Sequence, residues 1–134
     1  MVADSDEDDL SIRNEEKLFR RIRNVETVWD DNLNQMRPTS QAFQNHPDNP
    51  RAFSVNLESV LQDRGLAIES LLVDESSYSL VTFSAQLARN LGQKVHRQPQ
   101  DGDPSHAHVV GDKGKSVRRE FSKAAEWAIP PKRS

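Results

Sequence analysis

His106 and His108 stand two residues apart in His106-Ala107-His108-Val109-Val110, with His96 upstream. On a strand that spacing projects both imidazoles from one face. Imidazole titrates near neutrality and suits general acid–base transfer, so His106 and His108 are the candidate catalytic residues. If residues 94–98 and 106–110 form a hairpin with His96 opposite His108, then His96, Gln98, His106 and His108 share a face, in an arrangement able to ligate zinc. A one-residue slip sends His96 to the opposite face. The motif carries no carboxylate to orient zinc-bound imidazoles, so no metal and no cofactor is expected.

A second chemistry is anion binding. In Val109-Val110-Gly111-Asp112-Lys113-Gly114-Lys115-Ser116, Gly-Lys-Ser falls between an expected strand and an expected helix, but Val109 occupies the position where a phosphate-binding loop needs glycine. The looser expectation is that free N–H groups at the helix start, with Lys113 and Lys115 beside them, hold an anion. Arg118, Arg119 and Lys123 follow on the helix's outer side, and with Arg89, Lys94 and Arg97 they form a basic surface suited to nucleic acid or an acidic protein face. Phe121 and Trp127 are expected in the core, so base-specific readout is not. Arg37, Thr39, Ser40 and His46 form a donor-rich loop in which Arg37, with a histidine, suits a phosphate or carboxylate.

These residues need elements to hold them. Leu18, Ile22, Val25, Trp29, Leu33 and Met36 recur at the three- and four-residue spacing of an amphipathic helix over residues 14–36, while Leu18, Arg20 and Ile22 also alternate as a strand over 17–23. Residues 37–51 are dense in proline and turn formers and read as a loop anchored by Ala42 and Phe43. A strand at 52–55 leads to a helix over 57–64, capped by Asn56 and closed by Gly65. Residues 66–73 are an apolar run that fits strand or helix. Residues 80–83 suit a strand, followed by a helix at 85–91 capped by Ser84 and stopped at Gly92; an unbroken helix over 79–91 is the alternative. The last helix spans 117–128, capped by Ser116, with Val117, Phe121, Ala124, Ala125 and Ala128 inward and Pro130 ending it.

With 134 residues the chain holds one domain. Absence of cysteine excludes disulfides, thiolate catalysis and iron–sulfur ligation by this chain. No apolar run approaches the length of a membrane span, so a cytoplasmic protein that contacts no membrane is expected. The net charge of −3 conceals an asymmetry: residues 1–84 carry 8 Lys/Arg against 16 Asp/Glu, residues 85–134 carry 10 against 5. Residues 1–12 are expected to be a disordered acidic tail, which solubilises the chain or folds over the basic half, and 130–134 a flexible C-terminal tail.

Leu18-Phe19-Arg20-Arg21, Arg37-Pro38-Thr39-Ser40-Gln41-Ala42-Phe43, Phe53-Ser54-Val55 and Asp103-Pro104-Ser105-His106-Ala107-His108 resemble a set of small uncharacterised bacterial proteins. The resemblance implies a bacterial source and one domain over residues 13–129; it supplies no catalytic residue. The expected fold is α+β, a small mixed or antiparallel sheet with three to four helices. Two functions fit. One is a non-catalytic accessory or interaction protein, with Arg37, Ser40, Lys113, Lys115, Arg118 and Arg119 contacting a protein partner or polyanion. The other is a small enzyme acting on a phosphorylated or nucleotide substrate, with His106 or His108 as acid–base and Arg37 or Arg97 stabilising charge. Convergence of the Arg37–Ser40 loop and the histidine strand on one pocket separates them.

Overall fold

The computed structural model describes residues 7–48, 51–72 and 74–131. Where two periods competed, the strand prevails: β1 (Lys17–Arg23) is followed by a two-stranded arm, β2 (Thr27–Asp30) and β3 (Gln35–Pro38). The helical stripe gives way because β1 runs through the middle of a sheet, burying Leu18 and Ile22 on one face and Phe19 on the other. Val25, Trp29 and Leu33, which a helix would have turned inward, are exposed.

Joining β1 are β4 (Ala52–Leu57), β5 (Tyr78–Ser84), β6 (Lys94–Arg97), β7 (His106–Val110) and β8 (Glu126–Ile129). They form a six-stranded antiparallel sheet in the order β6-β7-β4-β1-β5-β8. The helices are α1 (Glu58–Asp63), α2 (Ala85–Asn90) and α3 (Lys115–Ala124). The architecture is α+β with an antiparallel sheet.

Ser84 caps α2 as expected, its hydroxyl accepting from Leu87 N at 3.1 Å, and Gly65 and Gly92 take the left-handed conformation after α1 and α2. Asn56 does not cap α1. It remains in β4, and Glu16 reaches across from β1's approach to accept from Ser59 N at 2.7 Å. The run at 66–73 contains a 3₁₀ turn, Ile68–Leu71, with residue 73 outside the described residues. The last helix ends at Ala124, four residues before the expected limit, and Gly114 rather than Ser116 precedes it. Pro130 disfavours helical geometry just before it, and Leu80↔Ile129 and Val81↔Trp127 pairing against β5 supplies the alternative. On α3 the buried residues are Phe121 and Ser122, while Ala124 is exposed.

One face of the sheet carries Leu18, Ile22, Phe53, Val55, Leu57, Val81, Phe83, Val95, Ala107 and Val109, covered by the 3₁₀ turn Ser40–Phe43, α2 and α3. Its centre is aromatic: Phe43 stacks on Phe121 at 5.5 Å, and Phe53 and Phe83 meet them edge-on or tilted. The opposite face buries Phe19 and Leu80 beneath Leu61, Leu72, Ile68 and Leu71, and is polar from β4 to β6.

The expected acidic tail at residues 1–12 is described only from residue 7 onward. Residues 1–6 lie outside the described residues, but 7–12 dock along the outer edge of β6. Asp9 N donates to Val95 O at 2.8 Å and Val95 N to Asp8 Oδ1 at 2.9 Å, while Asp8 pairs with Arg89 at 3.1 Å and Asp9 with Arg97 at 3.2 Å. Edge-strand backbone groups need partners, and Ile12, 1% exposed, adds an apolar anchor that offsets the ordering cost. Of the expected C-terminal tail, Pro130 and Pro131 are described and 132–134 are not.

The segment 7–12 therefore contributes to stability. Ile12→Ala is expected to lower the unfolding free energy by about 3 kcal/mol in urea titration, the usual cost of truncating a buried isoleucine, and a chain beginning at Arg13 by more. An unchanged midpoint in both would show the segment to be passive.

Candidate functional site

β1 and β4 pair at Leu18↔Leu57 and Phe19↔Asn56, and the ladder goes no further. Arg20 occupies the opening beyond it. Its Nε donates to Ala42 O at 2.8 Å, one Nη donates to Ser54 O at 3.0 Å, and the guanidinium lies 4.2 Å from the centre of the Phe53 ring. Burial lowers its pKa to about 10, which leaves it charged at neutral pH, and among the described residues it forms no ion pair.

A cleft of about 760 Å³ opens beside this junction. Arg20 and Arg21 enter it from β1, Glu26 from the turn after β1, Ser54 and Asn56 from β4, Gln41 and Gln44 to Pro47 from the loop after β3, Gln100 and Gly102 to Ser105 from the β6–β7 connection, and His106 from β7. Asn56 braces that connection, its amide donating to Asp103 Oδ1 and Ser105 Oγ, both at 2.8 Å. Arg21 donates to Leu71 O at 3.4 Å and lies 5.3 Å from the Tyr78 ring.

His106, 8% exposed, has both ring nitrogens engaged: Nδ1 with Gln98 O at 2.8 Å and Nε2 with Ser54 Oγ at 3.0 Å. A carbonyl only accepts, so Nδ1 carries the proton; in the neutral ring Nε2 then accepts from the Ser54 hydroxyl. Ser54 is itself exposed and lines the cleft. The arrangement is a hydroxyl, a base oriented toward it, and a third group fixing the base's tautomer.

No protein-family model, no curated protein and no solved structure matches this chain.

The hairpin takes the register that puts His96 opposite His108, and the His106 and His108 rings meet edge-to-face at 5.0 Å. Burial lowers the His108 pKa, keeping that ring neutral at pH 7. His96 Nδ1 bonds to Glu7 O at 2.9 Å. No group of three or more His, Asp or Glu among the described residues is placed to hold a metal.

The Arg37–Ser40 loop and the histidine strand do not meet in the expected way. Arg37 bonds to Asp30 Oδ2 at 2.8 Å and Ser122 Oγ at 2.9 Å, tying the β2–β3 arm to α3, while Ser40 opens the 3₁₀ turn. The residues just after them, Gln41 and Gln44 to Pro47, share the cleft with His106. Lys113 turns away from the start of α3 and donates to Val109 O and Gly111 O at 2.9 and 3.0 Å, 4.9 Å from the Phe53 ring. Lys115 and Arg119 are exposed on α3 and Arg118 is half-buried. Arg89 and Arg97, expected in the basic surface, are paired with Asp8 and Asp9.

Sequence reasoning passed over Arg20, Ser54 and Asn56. Each left a trace: Arg20 is a charge set between Leu18 and Ile22 in the strand alternation, and Ser54 and Asn56 alternate with Phe53, Val55 and Leu57. Ser54 and Asn56 are polar on the second face of a central strand and line the cleft, whereas Arg20 shares the core face with Leu18 and Ile22.

Burial lowers the Lys113 pKa from 10.5 to about 7. Between those values the unfolded chain binds more protons at this residue than the folded one, so the Lys113 contribution to stability rises with pH across the window. Lys113→Met removes that dependence. Urea unfolding at pH 6.5 and pH 10 is expected to show the variant gaining on the parent at the lower pH; an equal difference at both would refute the assignment.

Proposed function

We propose that the chain binds a small anionic molecule, a phosphate monoester or a carboxylate, in the cleft beside Arg20 and Arg21. The observation that carries this reading is the Arg20 guanidinium, desolvated and without an ion pair among the described residues, at the wall of an open cleft. A buried charge is costly unless compensated, and two backbone carbonyls and an aromatic face compensate it in part. An anionic ligand supplies the remainder. Arg21 adds a second positive charge, and Gln44, Ser54 and Ser105 add neutral groups that hydrogen-bond to phosphate or carboxylate oxygens. The substrate class matches the enzyme alternative drawn from sequence, with Arg20 in the place given there to Arg37.

The accessory-protein reading keeps one observation of its own: Val25, Val28, Trp29 and Leu33 are exposed together on and beside the β2–β3 arm. Apolar side chains gathered on a projecting arm suit a protein partner.

Titration of the full chain with phenyl phosphate, followed by amide NMR, tests the cleft. Saturable shifts are expected at Gln44, Ser54 and Ser105, and Arg21→Gln should weaken binding about tenfold, the loss of one charge-assisted hydrogen bond. No shift at millimolar ligand contradicts the proposal. A short duplex titrated at low and moderate salt separates the polyanion reading: capture by α3 falls steeply with salt and with Lys115, Arg118 and Arg119 changed to Gln, whereas monoester binding in the cleft is indifferent to those three.

A further inference from the structure

We propose that Ser54 is a nucleophile and that the cleft hydrolyses carboxylic esters whose acyl portion carries a second, anionic group. The inference rests on the anion-binding reading of the same cleft and adds a reaction to it.

Three observations converge on Ser54. The residue is exposed at the cleft, whereas its backbone is held on both sides, paired with His108 of β7 and bonded through its carbonyl to Arg20. The base beside it is nearly buried and cannot rotate without breaking the 2.8 Å bond from Nδ1 to Gln98 O, so Nε2 remains directed at Oγ. The cleft into which Oγ opens contains two guanidinium groups, one bonded to the nucleophile's own residue. A hydroxyl bonded to an oriented imidazole, with fixed positive charge close by, has the parts that acyl transfer requires.

The step balances as follows. Ser54 Oγ attacks the ester carbonyl carbon while its proton passes to His106 Nε2, and the imidazolium, still donating from Nδ1 to Gln98 O, returns that proton to the departing alcohol as the ester C–O bond breaks. Water then attacks the acyl-Ser54 carbonyl, giving a proton to Nε2, which restores the serine hydroxyl as the acid leaves. One ester and one water yield one acid and one alcohol. Arg20 stabilises the oxyanion through its field, and Arg21 receives the anionic group of the acyl portion.

The test treats the full chain with an alkyl fluorophosphonate, which forms an Oγ–P bond and releases fluoride, and measures hydrolysis of mono-p-nitrophenyl succinate against p-nitrophenyl acetate. A single adduct on Ser54 is expected, with preference for the succinate. Ser54→Ala should abolish both activities, and His106→Gln should slow them by ~100-fold. Because His106→Gln removes a buried bond, Ser54→Cys supplies an independent readout: with His106 as base, iodoacetamide alkylates it at pH 6.5 about tenfold faster than free cysteine, whose thiol is largely protonated there. No adduct on Ser54, together with alkylation at the free-cysteine rate, overturns the nucleophile. Phenyl phosphate binding that persists in that case leaves the cleft reading intact, and its absence removes both.

Discussion

The arrangement of this protein turns on a guanidinium placed where two neighbouring strands separate. β1 and β4 share two residue pairs and then diverge, and without Arg20 the carbonyls of Ala42 and Ser54 would face the opening unbonded. Backbone acceptors in that position need a donor, and arginine supplies several in a rigid plane long enough to span the gap. The cost is a charge drawn out of water, visible in the lowered pKa of Arg20. That cost is what links architecture to function, because the Arg20 charge, near Glu26 but in no ion pair among the described residues, favours an anion in the cleft.

The remaining elements hold the walls of that opening. The aromatic centre of Phe43, Phe53, Phe83 and Phe121 fixes the 3₁₀ turn Ser40–Phe43, β4, β5 and α3 against one another, and Phe53 offers its ring to both Arg20 and Lys113. On the opposite face, Asn56 secures the β6–β7 connection through Asp103 and Ser105, and β7 sets His106 beside Ser54. The docked segment 7–12 completes β6 and neutralises Arg89 and Arg97.

Local punctuation was legible in the amino-acid sequence. Ser84 and Gly92 delimit α2 and Gly65 follows α1, whereas the His96↔His108 register, left open by the sequence, is set by the strand pairing. Residues 17–23, where strand and helix competed, and 126–129 were not settled by the sequence either. β1 and β8 pair with strands far along the chain, so tertiary pairing overrides a helical period in the first and a helical continuation in the second, while β2 and β3 pair with each other. The site was half legible. His106 was marked by its residue type, but Ser54 and Arg20 draw their meaning from the parting of β1 and β4, which no local pattern encodes. Arg37 looked like the anion ligand because the sequence reads as a loop from residue 37; it lies instead in β3, where Asp30 and Ser122 engage it.

The most direct test of this account is the Arg20 guanidinium itself, observed by NMR through its Nε–H proton. Held against Ala42 O in a half-buried side chain, that proton should exchange with water more slowly than the corresponding proton of Arg21, and its resonance should move as phenyl phosphate fills the cleft. Exchange as fast as that of an exposed arginine, or ligand binding that leaves the Arg20 resonance unmoved, would contradict the claim that this one charge both bridges the parted strands and receives the anion.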